Sequence, residues 1–320
     1  MTAPHRFYRQ TQFSWYGRTG ETAFASADGS FGDGQLIPII LAIGAAVGWG
    51  TADFFGGVSR RKASVFVIIA VSELAGVIVL IPIIIARGTP LPDSPSMLLA
   101  CLAGIAVTAE LGLIYAALSR GKAFITAPVG GLGTAVAATV GLLEGDRLDL
   151  MIALGLLCAL IGSGVSAWTT SPDNQPRRIA YDAAVCAGAA ACVGTMLICL
   201  HAAGRVNPYW ATIAEHTSTA LSAGLIAVAG HGGKLRRHLP DRRQLPALGL
   251  IAVAGVAGDL AYAAASQHGA LSIVSALSSL YPVTTVALGI AIQGHRAGRV
   301  QTAGITLALL GAVLLGAATH

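Results

Sequence analysis

Residues 169–178, TTSPDNQPRR, are the sharpest punctuation in this chain. Two prolines among polar side chains cannot continue an apolar helix. On either side lie five apolar runs: 36–57, 65–86, 97–118, 124–143 and 150–168 before it, and 181–202, 209–230, 246–267, 271–292 and 300–317 after it. Each is close to the ~20 residues that cross a ~30 Å hydrocarbon layer as a helix. The runs are rich in Ala, Leu, Gly and Ile and do not alternate, which argues against strands. The fold class that follows is an all-α polytopic membrane protein. Residues 1–35 read as a disordered polar tail, 36–168 and 181–317 as two five-helix units, and 169–180 as the linker.

Composition supports this. Of 320 residues, 54% are hydrophobic and only 11% charged, where a soluble chain carries about 25%. Disorder needs the opposite balance. The 40 glycines follow no G-X-Y period, which removes a collagen-like chain, and they permit the close backbone approach by which membrane helices pack. The net charge of +5 resides in short segments between the runs, suited to anionic headgroups. No aromatic-interleaved basic stripe suggests nucleic acid. Cys101, Cys158, Cys186, Cys192 and Cys199 fall within runs without a C-x-x-C pair, so disulfide and metal roles are not expected. No Walker A motif is present, and no cofactor is expected. Trp49, Trp168 and Trp210 stand near run ends, where amphipathic rings favour the interface.

The two sets of five echo each other. Glu144-Gly145-Asp146-Arg147 is followed by Gly155 and Gly162, and Gln293-Gly294-His295-Arg296 by Gly304 and Gly311, at the same spacing. Gly44 with Gly50-Thr51 likewise matches Gly188 with Gly194-Thr195. Because five is odd, the second set enters the bilayer with opposite polarity. That is an inverted-topology repeat, a signature of secondary transporters. Fourteen of the twenty Lys and Arg follow runs 1, 3, 5, 7 and 9, and the positive-inside rule then places both termini outside.

Five acids lie well inside the runs, Asp53, Glu73, Glu110, Glu215 and Asp259, while Asp182 sits at a run edge and can be solvated. Every Lys and Arg lies outside them. A charge at mid-helix costs at least ~2.5–3.5 kcal/mol. Either the carboxyl stays protonated, because desolvation penalises its charge, or it lines a wet cavity where a proton, another cation or an amine neutralises it. Glu110 and Asp259 are each the fourteenth residue of their run, in runs 3 and 8. Glu73 and Glu215 are also matched in depth. The structural alternative for each is a neutral acid hydrogen-bonded to a neighbouring backbone; Asp53 could instead snorkel to the interface. Asp259 and Tyr262 share a helix face, and the phenol could donate to the carboxylate. Pro282, after Ser278-Ser279-Leu280-Tyr281, frees a backbone carbonyl in run 9. Pro128 with Gly130, Gly131 and Gly133 is the corresponding weak spot in run 4. Paired breaks point to a central site; two packing kinks are the other reading. His216, next to Glu215, could shuttle protons or simply pack.

These residues resemble the EamA family of the drug/metabolite transporter superfamily. The resemblance is carried by Gly48-Trp49-Gly50-Thr51-Ala52-Asp53-Phe54, by Glu144-Gly145-Asp146-Arg147-Leu148, and by Leu280-Tyr281-Pro282-Val283 leading to Gln293-Gly294-His295-Arg296. The family's usual Gly-Glu-Arg is altered to Gly145-Asp146-Arg147 and Gly294-His295-Arg296. The resemblance implies ten helices in two inverted repeats, alternating access around a central cavity, and movement of small metabolites, amino acids or drugs. It also implies cytoplasmic termini, opposite to the arginine asymmetry.

The function expected is a secondary active transporter in the cell membrane, acting as a monomer and not an enzyme. Its partners would be the lipid bilayer, a small-molecule substrate and a proton or other cation. Glu110, Asp259, Glu73, Glu215 and Asp53 would attract the cationic group, with Tyr262, Tyr281 and Trp49 shaping the pocket and no metal bound. The alternatives are a membrane-embedded lipid-modifying enzyme, for which no H-E-x-x-H or convincing nucleophile–base pair is present, and a receptor or scramblase with a carrier-like fold.

Overall fold

The apolar runs become helices almost residue for residue. The computed structural model describes residues 33–59, 64–118, 126–146, 149–166, 179–232, 235, 238–294 and 298–318. The helices are α1 (Asp33–Ser59), α2 (Val65–Arg87), α3 (Ser94–Leu118), α4 (Thr126–Glu144), α5 (Leu150–Ser166), α6 (Ile179–Val206), α7 (Pro208–His231), α8 (Leu245–Ala265), α9 (Leu271–Ser278), α10 (Tyr281–Gln293) and α11 (Arg299–Ala318). A 3₁₀ turn at Arg242–Gln244 leads into α8. No strand occurs among the described residues. α1 begins inside the segment expected as a tail, at Asp33, and α6 inside the expected linker, at Ile179. Residues 1–32 and 167–178, most of that tail and linker together with Trp168, lie outside the described residues, as do Arg147, His295 and Arg296.

Run 9 is two helices. Pro282 has no N–H to offer Ser278, so the α-helical ladder stops at Ser278 and restarts at Tyr281. The hydroxyl of Ser279 turns back onto Ala276 O (2.7 Å), and that of Ser278 reaches Ala42 O on α1 (3.3 Å). Pro128 does not break a helix in this way. It stands in the first turn of α4, where proline is tolerated. The pair of mid-run breaks is therefore a single break, in run 9, among the described residues.

Local rules set the ends. Asn207 caps α7, its side-chain oxygen accepting from Tyr209 N (3.1 Å) and Trp210 N (3.2 Å), with Pro208 following. The matched glycines of the two turns, Gly145 and Gly294, both take positive φ, 107° and 67°, and terminate α4 and α10. Asp146 then accepts a hydrogen bond from Ser272 N at the start of α9 (2.9 Å).

Among the described residues, six segments are long and apolar enough to cross a membrane: Leu36–Gly57, Val65–Arg87, Ser94–Ile114, Ala184–Val206, Arg242–Ala265 and Leu271–Gln293. Leu132–Glu144, Leu150–Gly162 and Arg299–Leu315 are apolar but shorter. α7 is long but carries Glu215, His216, Thr217, Ser218 and Thr219 on consecutive positions, which lowers its hydropathy. Large side chains such as Ile40, Leu74, Ile85, Leu102, Leu143 and Leu225 face outward. In water such a surface would aggregate; against acyl chains it costs nothing.

The helices do not form two separate five-helix bundles. α1 packs on α8, α3 on α6, α2 on α7 and α5 on α11, so the main contacts join one half to the other. α4 likewise packs against α6, and α10 against α1. Small residues make the approach possible. A Cβ on Gly48 would stand 2.7 Å from Gly258 Cα, where α1 meets α8. Where α5 meets α11, a Cβ on Gly162 would lie 2.8 Å from Gly304 O, and one on Gly311 would lie 2.7 Å from Gly155 O. The four glycines that match in sequence thus meet each other reciprocally in one interface.

Candidate functional site: an acid-lined cavity

A cavity of about 200 Å³ opens between these helices. Its wall draws on α1, α2, α3, α4, α6, α7, α8 and α10, with Ser279 from the α9–α10 break; α5 and α11 take no part. All five acids singled out in the sequence, Asp53, Glu73, Glu110, Glu215 and Asp259, are on this wall. Trp49 and Tyr281 line it as well, while the rest is largely aliphatic: Ile68, Ile69, Val107, Leu111, Val193, Met196, Leu197 and Ile251. No Lys or Arg is among the described lining residues. The hollow is smaller than the ~300–1,000 Å³ typical of pockets for drug-sized ligands.

Three of the acids converge on one imidazole. His216 is buried at 1% exposure, and its Nδ1 donates to the Glu73 carboxylate. Its Nε2 lies 3.1 Å from Asp259 Oδ2 and 3.8 Å from Glu215 Oε2. Glu73 comes from α2, Glu215 and His216 from α7 and Asp259 from α8. Packing of α2 and α8 against α7 brings them together. The Glu215 carboxylate is held on its other oxygen, Oε1, by the Thr219 hydroxyl (2.9 Å), and Thr219 also donates to Gly104 O on α3 (3.1 Å). Gly76 and Gly255 pass beside the ring; a Cβ on Gly76 would stand 3.1 Å from Nδ1. The absence of Lys and Arg from the runs suggested acids without a basic companion. His216 corrects that reading, for it is a base at their centre.

Trp49 has a definite task here. Its Nε1 donates to Asp259 Oδ1 at 2.8 Å, so the ring is not an anchor at the membrane interface. Gly258, one residue earlier on α8, leaves room for it: a Cβ there would stand 2.6 Å from Trp49 Cδ1. Trp210 does stand near a helix start, with Nε1 donating to Thr89 O (3.1 Å).

Tyr262 is placed differently from expectation. It is fully buried and outside the cavity wall. Its hydroxyl donates to Leu197 O (2.9 Å) and meets Ser275 Oγ (2.9 Å), not Asp259. A buried phenol takes whatever acceptor the neighbouring helix supplies. Its ring does back Trp49, with centroids 5.4 Å apart, and Tyr281 meets Trp49 edge-on at 6.5 Å.

Glu110 and Asp53 are at the other part of the wall. Asp53 is exposed and Glu110 half-buried, and both face the cavity with Tyr281. Glu110 makes no hydrogen bond or ion pair with another described side chain, unlike its counterpart Asp259.

Three comparisons bear on this arrangement. A protein of Methanocaldococcus jannaschii named as uncharacterized protein MJ1333.1 is 27% identical over 125 residues, 39% of this chain and 91% of its own. A solved structure described only as "Crystal structure of protein" is similar in fold, with a TM-score of 0.73 at 17% identity, covering 89% of this chain and 98% of its own. The EamA-like transporter family matches residues 36–168 and 181–317. That match spans most of the sequence, and the acid-lined hollow lies among helices from both matched segments: the chain is a multi-pass membrane protein that belongs to the EamA-like transporter family.

Proposed function

We propose that this protein is a secondary active transporter that carries a small metabolite, an amino acid or a drug-like amine across the cell membrane by alternating access. The observation that carries the proposal is the cavity itself: among the described residues, five carboxylic acids and no Lys or Arg on one wall between interleaved helices. A cationic or zwitterionic solute entering it exchanges bulk water for carboxylates, and the low dielectric strengthens that attraction. Glu110 and Asp53 meet the cationic group, and Tyr281 and Trp49 supply the aromatic faces that favour it. Glu73, Glu215 and Asp259 hold the counter-charge needed for coupling to a proton or another cation.

Ten membrane crossings, arranged as inverted repeats 36–168 and 181–317, fit the packing. Exchanging the halves turns the α1–α8 contact into α6–α3, and the α4–α6 contact into that of run 9 with α1, while α2–α7 and α5–α11 map onto themselves. The reciprocal glycines of α5 and α11 obey the same exchange. The archaeal relative, almost fully matched by 125 residues, has about the length of one half. Because the halves interleave, the moving parts cannot be the two halves as such. Each rocking unit must take helices from both. The cavity is complete in one chain, so a monomer suffices.

The test is flux. Purified protein in liposomes should accumulate labelled amines or amino acids when a proton or substrate gradient is imposed. Glu110→Gln and Asp259→Asn should each lower the rate at least tenfold. Wild-type rates from both variants, with a verified substrate, would remove these residues from the site. Saturable binding without movement would favour a receptor.

A further inference from the structure

The geometry around His216 points to a buried site for a divalent first-row transition-metal cation. We propose that His216 Nε2, Asp259 Oδ2 and Glu215 Oε2 are its ligands, with Glu73 as the outer carboxylate that orients the ring. The site goes beyond the transport reading and does not depend on what the cavity carries.

Five buried side-chain polar atoms have no hydrogen-bond partner among the described residues, and two of them, His216 Nε2 and Glu215 Oε2, stand on this cluster. Both residues are nearly inaccessible, at 1% and 3% exposure. An unsatisfied polar atom at this depth requires an explanation, and here the two point toward the same space. Nε2 approaches Asp259 Oδ2 at 3.1 Å and Glu215 Oε2 at 3.8 Å, both within ion-pair reach. Donors bound at about 2.0–2.2 Å around one metal stand about 3–3.5 Å from each other. The first distance is already of that size, and the second closes with a shift of a few tenths of an ångström. A related set, one atom from each of Glu73, Glu215 and His216, lies mutually within 4.8 Å and shares two of these three ligands.

The other ring nitrogen completes the pattern. Nδ1 faces the Glu73 carboxylate, so a metal would take the place of the proton on Nε2. A carboxylate behind the far nitrogen is the usual support of a metal-binding histidine; it fixes the tautomer and makes the ring a better donor. Asp259 and Glu215 are fixed in turn by Trp49 Nε1 and Thr219 Oγ1 on the oxygens that do not face the ring. One imidazole with carboxylates suits Zn²⁺, Co²⁺, Ni²⁺ or Mn²⁺ rather than Ca²⁺ or Mg²⁺, which prefer oxygen alone. The cation would offset the acids where no Lys or Arg does, and Glu73, Glu215 and Asp259 on the cavity wall give it a route in. Expecting no metal followed from the lack of a spaced motif; these ligands come from three helices, which spacing along one segment cannot reveal.

A surface histidine pair must be removed first. The rings of His231 and His238 lie 4.2 Å apart and could hold metal adventitiously. The test therefore uses the full chain with His231→Gln and His238→Gln, in detergent, titrated with Co²⁺ and followed by visible absorption and calorimetry. The expected result is one equivalent bound, with d–d bands stronger than those of aqueous Co²⁺. His216→Gln and Asp259→Asn should each weaken binding at least tenfold, and Glu73→Gln by about 10–100-fold. Co²⁺ should also raise the melting temperature of the parent but not that of Glu215→Gln, a readout that stands even if another variant fails to fold. No saturable binding by the parent, or equal affinity in all folded variants, would overturn the site and leave protons as the neutralising charge.

Discussion

Asp259 and Glu110 occupy matched places in the sequence, the fourteenth residues of runs 8 and 3. The structure gives them opposite surroundings. Asp259 is held by Trp49 Nε1 and stands 3.1 Å from His216. Glu110 faces the cavity with no described side chain bonded to it. An internal repeat preserves depth and helix packing, but it does not preserve partners: α7 carries a histidine beside its acid, Glu215-His216, whereas α2 carries Glu73 and no histidine. One acid belongs to a fixed network that shapes the cavity; the other is left to meet the solute. Duplication followed by unequal substitution is a way to obtain both from one helix pattern.

Breaking this difference is a matter of removing one partner at a time. The largest effect is expected for His216→Ala, which leaves three carboxyl groups around a void; a loss of about 3–5 kcal/mol follows from stranding buried charges, visible as a large fall in the melting temperature. Asp259→Asn keeps the shape and should cost about 1–3 kcal/mol through the altered hydrogen bonds. Trp49→Phe removes the donor to Asp259 and part of the ring packed on Tyr262, and should cost about 1–3 kcal/mol. Gly258→Ala pushes on the Trp49 ring and should cost about 1–3 kcal/mol by overpacking; if the backbones slide apart instead, a control at Gly249, which has open space, will show the difference. Glu110→Gln should change stability least, by under ~0.5 kcal/mol, while lowering flux as strongly as Asp259→Asn. A Glu110 variant that unfolds as readily as an Asp259 variant would end the distinction.

The fold was largely legible because lipid imposes a simple rule: a helix of about 20 apolar residues satisfies its own backbone. Run boundaries, the break at Pro282 and the turn glycines Gly145 and Gly294 followed from that rule and from local stereochemistry. The acids were legible because a carboxyl in an apolar run is conspicuous. Their grouping was not. Whether Tyr262 turns to Asp259 or to Leu197 O depends on which helix lies opposite, and no spacing within α8 encodes that. His216 appeared beside Glu215 in the sequence, but Glu73 and Asp259 reach it only through the packing of α2 and α8 on α7. Interleaving of the halves was hidden for the same reason. The echo of Gly155 and Gly162 in Gly304 and Gly311 shows that two segments are alike, not that they face each other.

Water at Glu110 decides whether this cavity is a translocation route. With the five native cysteines replaced by alanine, Glu110→Cys and Leu102→Cys compare two faces of α3, one toward the cavity and one outward and 45% exposed. A membrane-impermeant cationic thiol reagent applied to intact cells or vesicles from each side in turn should modify Cys at 110 and leave Cys at 102 unmodified, with substrate slowing the reaction. Equal protection of both positions from both sides would mean that no solvated path reaches Glu110, and the carrier account would fail.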